Sequence, residues 1–332
     1  MNWQLRNWGY KMKATRDAFG DFLPVMGETN KDIIALDADL GGATKIRSFG
    51  EKFPDRFFQI GIAEANMIGI ASGLSEYGYK VFLASFGSFL TGRYDIIRCS
   101  LAYSNAPVVL VGTHVGMAIG KDGVTQMGLE DVSLMRALPN MKVLNPASYS
   151  EAKKVIEYLC SSDLKSPHYL RLGRQPVEDV EMDFEFGKGQ IVKDGEDMTI
   201  IATGCILSEA IKAAELIESE WYSVRVVNMP TLKPIDEELI IDCCKNTKMI
   251  VTVEDHSIIG GLGSAVSEVT ATHSPSKVIR IGLNDVFPES APPDDLYEKY
   301  ELNAKGIAEK VIDHWTRQSY EEHGLGDLIG DE

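Results

Sequence analysis

Residues 55–78 read DRFFQIGIAEANMIGIASGLSEYG, a short aromatic run followed by a longer run of apolar and small residues. The first run predicts a strand over residues 57–61, and the second predicts a helix over residues 63–77. Glu64 is the acid inside this stretch, among residues that otherwise read as buried. A carboxylate is costly to bury. From these residues alone two interpretations stay open: a helix-start acid near exposed amides, or a functional group.

The same order of strand and helix continues on both sides of this stretch. The predicted strands cover residues 32–39, 57–61, 80–86, 106–114 and 142–146, and the predicted helices cover residues 14–26, 63–77, 89–100 and 149–161. Alternation of this kind is typical of the α/β class, in which helices cover both faces of a parallel sheet.

An acidic, glycine-containing segment, residues 176–197, interrupts the alternation and predicts an interdomain linker with one extended strand. A second set of elements follows, with strands at 198–204, 223–229, 249–255 and 277–283 and helices at 208–218, 235–245, 263–273 and 303–315. The sequence therefore predicts an N-terminal extension (1–12), a first domain (13–180), a linker (181–197), a smaller α/β domain (198–316) and an acidic tail (317–332).

Charge and composition exclude some functions and favour a compartment. The net charge of −16 argues against nucleic acid or an anionic membrane surface as a partner. The first residues lack the apolar core of a signal peptide, and no run is long enough to span a bilayer. The five cysteines form no C-x-x-C or Cys/His cluster, which predicts reduced thiols and a cytoplasmic location.

Three glycine-containing loops resemble ligand-binding motifs superficially. Residues 253–268 (VEDHSIIGGLGSAVSE) follow a strand and precede a helix, but their glycines do not have the G-x-G-x-x-G spacing, so we predict a tight turn. Residues 120–126 (GKDGVTQ) lack the order of a phosphate-binding loop. The third loop, residues 37–45 (DADLGGATK), begins at the carboxyl end of a strand. Its Asp37 and Asp39 could bind a ligand or cap the next turn.

A series of motifs, taken together, resembles one family. In chain order they are GIAEANMIGIASGL (61–74), SFGSFLTGRYDIIR (85–98), VGTHVG (111–116), GKDGVTQMGLEDVSLMRALPN (120–140), LNPAS (144–148) and YLRLGRQPV (169–177). They resemble the pyrimidine-binding and C-terminal domains of transketolase, above all the C-terminal subunit of split transketolases. The resemblance runs from about Lys13 to Trp315 and implies a pyrimidine-binding thiamine diphosphate fold followed by a smaller α/β C-terminal domain.

The resemblance implies a role for Glu64. In thiamine diphosphate enzymes the matching glutamate hydrogen-bonds N1′ of the aminopyrimidine and favours the tautomer that activates the thiazolium carbon. An apolar pocket suits a carboxyl group that shares a proton with a ring nitrogen. Glu64 and His114 are thus the predicted catalytic residues. Phe86 and Phe89 match an aromatic pair that packs on the pyrimidine, and Asp39 matches an acid near the middle of the cofactor.

The resemblance also implies a substrate site. Arg16, His114 and Arg174 match residues that bind a sugar's terminal phosphate, and Asp122 matches an acid that reads a donor hydroxyl. Two departures concern the substrate and not the cofactor. Gln126 stands where a histidine normally contacts the donor ketose, and the loop that begins at Asp39 lacks the family's phosphate-binding serine. Together they put ordinary pentose-phosphate substrates in doubt.

One part of the family's machinery is missing. The family holds the diphosphate through Mg²⁺ with a G-D-G motif followed by an asparagine, and this sequence contains no G-D-G. The resemblance therefore implies a separate subunit that carries the diphosphate-binding and Mg²⁺-binding domain, in a heterotetramer with two copies of each chain. The second domain, which shows no convergent acid–base or metal set, is expected to stabilise the dimer.

Three functional interpretations follow. The first is the C-terminal subunit of a transketolase that transfers a two-carbon ketol unit between sugar phosphates. The second is a related thiamine diphosphate enzyme with a changed donor, such as an unusual sugar, pyruvate or another 2-oxo acid, an alternative that rests on Gln126. The third is a non-catalytic paralogue.

Overall fold

The structure of the protein is a computed structural model that describes residues 12–322. The predicted extension of residues 1–12, apart from Met12, and residues 323–332 of the predicted tail lie outside the described residues. The strands are β1 (Ile33–Asp37), β2 (Phe57–Gln59), β3 (Lys80–Phe86), β4 (Val109–Thr113), β5 (Lys142–Leu144), β6 (His168–Leu172), β7 (Gln190–Lys193), β8 (Met198–Thr203), β9 (Val224–Asn228), β10 (Thr231–Lys233), β11 (Met249–Ser257) and β12 (Val278–Leu283).

Helices connect most of these strands. They are α1 (Thr15–Thr29), α2 (Gly41–Thr44), α3 (Arg47–Lys52), α4 (Glu64–Glu76), α5 (Gly87–Thr91), α6 (Tyr94–Ile96), α7 (Asp131–Ala137), α8 (Tyr149–Ser161), α9 (Leu207–Glu218), α10 (Glu237–Asn246), α11 (Leu262–His273), α12 (Pro293–Lys299) and α13 (Ala304–Glu322). Short 3₁₀ segments lie at Pro54–Arg56, Met117–Asp122 and Gly204–Ile206, and a π-helical segment lies at Ile97–Tyr103.

The first sheet has the strand order β10-β5-β6-β4-β3-β1-β2 and is parallel except for β10. Every residue of β1, β4 and β6 is buried, because helices cover both faces of the sheet. Alternate residues of a strand enter different cores: Leu36 and Leu83 pack on one face, and Ala35 and Phe82 on the other. The predicted parallel α/β architecture is confirmed.

The second sheet has the order β12-β11-β8-β9-β7, and β7 runs antiparallel to β9. Strand β7 lies within the segment predicted as a linker. Strand β10 follows β9 closely but leaves this sheet and pairs antiparallel with β5 of the first sheet, with Thr231 opposite Leu144. One strand from the second half of the chain is therefore part of the first half's sheet.

Several local predictions differ from the structure. Residues 89–100 do not form one helix, because Arg93 leaves the helical region (φ −120°, ψ 33°) directly after Gly92. Strand β6 is absent from the predicted set, since its buried run contains His168 and Arg171, and β10 is too short to be recognised by periodicity. Helix α13 continues beyond the predicted end at residue 315 as far as Glu322.

The described residues bear on two further expectations. None of their helices combines the length and the apolar character needed to cross a membrane. All five cysteines are free; Cys160 and Cys243 are buried, whereas Cys99 is exposed.

Candidate active site

Five of the predicted site residues follow five parallel strands at one edge of the first sheet. Carboxyl ends of parallel strands lie at the same edge, where open α/β sheets bind their ligands. These residues are Asp39 after β1, Glu64 after β2, Phe86 at the end of β3, His114 after β4 and Arg174 after β6.

Glu64 is the first residue of α4 and only 5% of its surface is exposed. The hydroxyl of Ser85, in β3, donates a hydrogen bond of 3.2 Å to Oε1 of Glu64. Among residues 12–322, no hydrogen-bond donor reaches Oε2. One carboxylate oxygen is thus fixed by the protein, while the other stays available to a ligand.

The prediction that the whole stretch around Glu64 is buried is wrong at Ile62, which is 85% exposed. Helix α4 buries Met67, Ile68 and Ala71, while Gly69 and Gly73 face open space. A helix places residues three and four positions apart on the same side. When only one side of a helix packs on a sheet, buried residues therefore recur every three to four positions, and the residues between them are exposed. The opposite side of α4 is left accessible.

Phe86, Phe89 and His114 form a stacked group of rings, which we call the aromatic wall. The ring centroids of Phe86 and Phe89 are 5.2 Å apart with planes inclined at 21°, and those of Phe86 and His114 are 3.8 Å apart at 27°. Phe86 is buried and Phe89 is half-buried. Stacked rings of this kind present a flat apolar surface that suits another planar ring.

The imidazole of His114 lies between two hydrogen-bond partners. Its Nε2 is 2.9 Å from Nη1 of Arg16, and its Nδ1 is 2.9 Å from Oγ1 of Thr113. A guanidinium can only donate, so Nε2 accepts and the ring proton is on Nδ1. Burial, reinforced by the positive charges of Arg16 and Arg174, lowers the pKa of His114 to about 3. The ring is neutral, and both of its nitrogens are engaged.

The two predicted phosphate-binding arginines lie near His114. Arg16, on α1, also donates from Nη1 to the carbonyl of Ala43 at 2.9 Å, while its Nε is buried without a hydrogen-bond partner in the described part of the chain. Arg174 donates from Nη1 to Oδ2 of Asp122 at 2.7 Å, and both side chains of this pair are partly exposed. Arg16, His114, Arg174 and Asp122 therefore form one cluster.

A network of hydrogen bonds connects Glu64 with this cluster. Thr113 donates from Oγ1 to the carbonyl of Ser85 at 3.4 Å, and Ser85 donates to Glu64. The order is thus Glu64, Ser85, Thr113, His114 and Arg16. Ser85 and Thr113 are not among the site residues predicted from the sequence. Each lies directly before a predicted site residue at the end of a strand, and this position is the signal that could have indicated them.

Asp37 and Asp39 have different surroundings. Asp37 is buried and accepts hydrogen bonds of 3.0 Å from the amides of Leu40 and Gly41, so it caps the following turn. Asp39 is exposed, and within residues 12–322 its backbone amide alone is anchored, by donation to Oε1 of Gln59 at 2.9 Å. The amide of Gly61 donates to the same oxygen. Gln59 thereby joins the loop of Asp39 to the loop that leads to Glu64.

Gln126 is half-buried beside α5. The hydroxyl of Ser88 donates to the backbone carbonyl of Gln126 at 3.1 Å, which holds this residue next to the helix that carries Phe89. The side chain of Gln126 makes no hydrogen bond with residues 12–322. Its amide is available to a substrate.

The glycine-rich loop of the second domain holds a protein carboxylate where a phosphate would bind. Glu254 is buried and accepts hydrogen bonds from the amides of Leu262 (2.7 Å) and Gly263 (2.8 Å) at the start of α11. The tight turn predicted there matches this geometry, and the helix N-terminus is already occupied. Within residues 12–322, no group of three or more His, Cys, Asp or Glu side chains is placed to hold a metal ion.

Comparison with known proteins assigns both halves of the chain. The family model described as "Transketolase, pyrimidine binding domain" matches residues 11–179, and that described as "Transketolase, C-terminal domain" matches residues 187–307. A putative transketolase C-terminal section from Methanocaldococcus jannaschii is 43% identical over 313 residues, which are 92% of this chain and 98% of that protein.

Two further relatives are informative. A 6-deoxy-6-sulfo-D-fructose transketolase subunit from Clostridium sp. is 36% identical over 92% of this chain and 95% of its own length. Among solved structures, a split-gene transketolase in the form of an inactive β4 tetramer superposes with a TM-score of 0.83 at 40% identity, covering 91% of this chain and 98% of that one.

Proposed function

This chain belongs to the transketolase family, and we propose from that premise that it is one of the two kinds of subunit in a thiamine diphosphate-dependent transketolase. In this proposal it contributes the half of the active site that binds the aminopyrimidine ring. With a separate subunit that binds the diphosphate and Mg²⁺, it transfers a two-carbon ketol unit between sugars or sugar phosphates.

The environment of Glu64 carries the proposal. Its carboxylate is buried, Ser85 fixes Oε1, and Oε2 has no hydrogen-bond partner among the described residues. The side chain as a whole is buried while this oxygen stays open to a partner, so a ligand with a nitrogen donor fits it. Glu64 can hold a proton between Oε2 and a ring nitrogen of an aminopyrimidine.

The aromatic wall fits the same ligand. Phe86 and Phe89 present a flat apolar surface at the same sheet edge as Glu64, and Phe86 follows Ser85 directly in the chain. These side chains would pack on the pyrimidine and exclude water from it. When bound, thiamine diphosphate supplies the carbon nucleophile for the transfer.

The cationic cluster fits the far end of a sugar phosphate. In the described part of the chain, the buried Nε of Arg16 has no hydrogen-bond partner, and Arg174 makes hydrogen bonds from its Nη1 alone. Both arginines could donate further hydrogen bonds to phosphate oxygens, while neutral His114 donates none from Nε2. Asp122, held by Arg174, can accept a hydrogen bond from a donor hydroxyl.

Exposed apolar side chains on β2, beside both ends of α4 and at the end of the π-helical segment support a partner subunit. Ile62, Tyr77 and Tyr103 are each at least 85% exposed, and Phe58 on the edge strand β2 is 43% exposed. The neighbouring face of α4 offers Gly69 and Gly73, where another backbone can approach closely. Large exposed apolar side chains on neighbouring elements are typical of interaction sites. We propose two copies of each subunit in the complex.

A reconstitution experiment tests this function. The chain is mixed with the separately encoded diphosphate-binding subunit, and the binding of thiamine diphosphate with Mg²⁺ is measured by calorimetry alongside ketol transfer. Glu64→Gln is expected to abolish transfer while the two subunits still assemble, and Glu215→Gln, at an exposed position of α9 in the second domain, serves as the control. Failure of the wild-type pair to bind the cofactor would overturn the proposal, and binding without transfer would indicate a non-catalytic paralogue.

Gln126 favours a second candidate, in which the donor differs from the common ketose phosphates. Its free amide replaces a titratable imidazole, and one similar subunit acts on 6-deoxy-6-sulfo-D-fructose. A donor screen of the reconstituted pair with xylulose 5-phosphate, hydroxypyruvate, pyruvate and 6-deoxy-6-sulfo-D-fructose separates the candidates. If substrate choice has changed at this position, Gln126→His raises transfer from xylulose 5-phosphate; an unchanged rate counts against that explanation.

A further inference from the structure

The segment between β4 and α7 that carries Asp122 and Gln126 is held by the second domain. We call residues 115–126 the substrate loop. Asp255, in β11 of the second domain, accepts a hydrogen bond from the amide of Met117 at 3.0 Å through Oδ1. Its other oxygen, Oδ2, accepts from the hydroxyl of Tyr297 in α12 at 2.6 Å. Asp255 and Tyr297 are both buried, at 7% and 8% exposure.

At three glycines the substrate loop lies so close to the second domain that a side chain has no room. A Cβ atom at Gly116 would lie 2.0 Å from Oδ2 of Asp255. At Gly123 it would lie 2.4 Å from the hydroxyl oxygen of Ser290, and at Gly120 it would lie 3.0 Å from Cδ of Pro293. All three glycines have positive φ angles, which other residues rarely adopt. Asp122 is therefore flanked by two close contacts with the second domain.

Residues beyond the loop are fastened to the second domain as well. Arg171 donates from Nη2 to the carbonyls of Gly128 (3.1 Å) and Asp255 (2.9 Å). The amide of Ser257 donates to the carbonyl of Leu129 at 2.8 Å. Loops are ordinarily more mobile than the elements that they join, so anchors on both sides are needed to keep Asp122 in one position.

We propose that the second domain positions the substrate loop and that Asp255 is the positioning residue. This inference rests on the proposed function, from which the substrate-binding role of Asp122 and Gln126 comes. The second domain then sets the affinity for the sugar and is more than a stabiliser of the assembly. Asp255 touches neither cofactor nor substrate; it acts through the backbone at Met117.

Three substitutions separate this role from a general structural one. Asp255→Ala removes both hydrogen bonds. Asp255→Asn can keep both, because its amide oxygen accepts from Met117 while its nitrogen donates to the Tyr297 oxygen. Gly116→Ala displaces the loop from the other side of the same contact. The control is Glu215→Ala, at an exposed position of α9.

Two readouts are combined. In the reconstituted pair, Asp255→Ala and Gly116→Ala are expected to raise the KM for the donor sugar by about tenfold while kcat and the affinity for thiamine diphosphate change little, as for a lost uniform binding interaction. Asp255→Asn should restore the wild-type KM. On the chain alone, hydrogen exchange of the amides of residues 116–123 should accelerate at least about tenfold in Asp255→Ala, but not in the control.

The outcomes are distinguishable. An unchanged exchange rate in the loop, or an unchanged KM together with a lower kcat and weaker cofactor binding, would overturn the positioning role. If the wild-type pair transfers no ketol unit, the proposed function fails, whereas the exchange rates still decide whether Asp255 orders the loop. Should Asp255→Ala fail to fold, Gly116→Ala and Asp255→Asn supply the same comparison.

Discussion

Arg16 donates a hydrogen bond from Nη1 to Nε2 of His114, at 2.9 Å, in the middle of the candidate active site. This contact fixes the tautomer of the ring, because the guanidinium has no acceptor and the proton must reside on Nδ1. With a pKa of about 3, caused first by burial and then by the two arginines, His114 carries no charge near neutral pH. It can orient a ligand but does not exchange protons there.

The first prediction concerns the charge of His114. Nitrogen NMR of the folded chain should show a neutral ring with the proton on Nδ1 across about pH 5 to 8, the range in which an ordinary histidine titrates. Arg16→Met should raise the pKa of His114 but leave it below the ordinary value, because burial is the larger cause. A titration midpoint near 6.5 in the wild-type chain would contradict this assignment.

The second prediction concerns Ser85, the residue that fixes Oε1 of Glu64. In the reconstituted pair, Ser85→Ala should lower ketol transfer by about fivefold to tenfold, the effect of losing one hydrogen bond worth about 1 kcal/mol. Ser85→Thr keeps the hydroxyl and should retain most of the activity. Equal loss in both variants would show that the volume of the side chain matters, and not its hydrogen bond.

The third prediction concerns Glu151 in α8, whose pKa burial raises to about 7. The folded chain then holds a proton that the unfolded chain releases near pH 4.5, so this group makes the free energy of unfolding fall as the pH rises between these values. Glu151→Gln should remove this loss and stabilise the chain above pH 7 by on the order of 2 kcal/mol, with little difference below about pH 4.5.

The neighbourhood of Glu151 can accommodate an amide. Asn228 donates from Nδ2 to Oε1 of Glu151 at 2.6 Å, while its own Oδ1 is buried without a hydrogen-bond partner among the described residues. Rotation of the Asn228 amide would let Oδ1 accept from the new glutamine. Chemical denaturation at several pH values measures the effect, with Glu157→Gln on the same helix as control. Equal stabilisation at low and high pH would refute the explanation.

The fourth prediction concerns the buried pair of Arg171 and Asp131. Nε of Arg171 lies 2.9 Å from Oδ2 of Asp131, which also accepts a hydrogen bond from Tyr169. Arg171→Met should destabilise the chain by about 3–5 kcal/mol, because it leaves a buried carboxylate without its counter-charge. Adding Asp131→Asn should recover part of that loss and keep an acceptor for Tyr169, whereas the hydrogen bonds from Arg171 to the carbonyls of Gly128 and Asp255 stay lost. Denaturation curves measure the free energy of unfolding of each variant. An Arg171→Met chain within about 1 kcal/mol of wild type would contradict the prediction.

The sequence predicts most of the fold, because periodicity reports which residues are buried. Strand β3 and helix α8 have the predicted bounds, residues 80–86 and 149–161. The failures have local physical causes. Strand β6 contains Arg171, whose burial depends on a counter-charge from Asp131, forty residues away. Strand β10 has three residues and is defined by its pairing with β5, a distant contact that no local pattern reports.

The residues of the candidate site also fall into two groups, those that the sequence indicates and those that only the structure reveals. Glu64, His114 and the arginines could be found because they occur in ordered motifs. Ser85 and Thr113 could not, since small hydroxyl residues are common in strands and matter here only through three-dimensional contacts. The same reason hid Asp255, whose importance depends on a glycine in the other domain. Residues that act through another residue leave little trace in a single sequence.

Strand β10 crosses the predicted boundary between the two domains, and this has a consequence for limited proteolysis. A single cut between residues 181 and 186 severs the polypeptide but leaves Thr231–Lys233 paired with β5. The two fragments should therefore migrate together in gel filtration and separate only in denaturant. The two fragments should also associate when they are expressed from separate open reading frames. A fragment that ends before β10 should leave the edge of β5 unpaired and should aggregate.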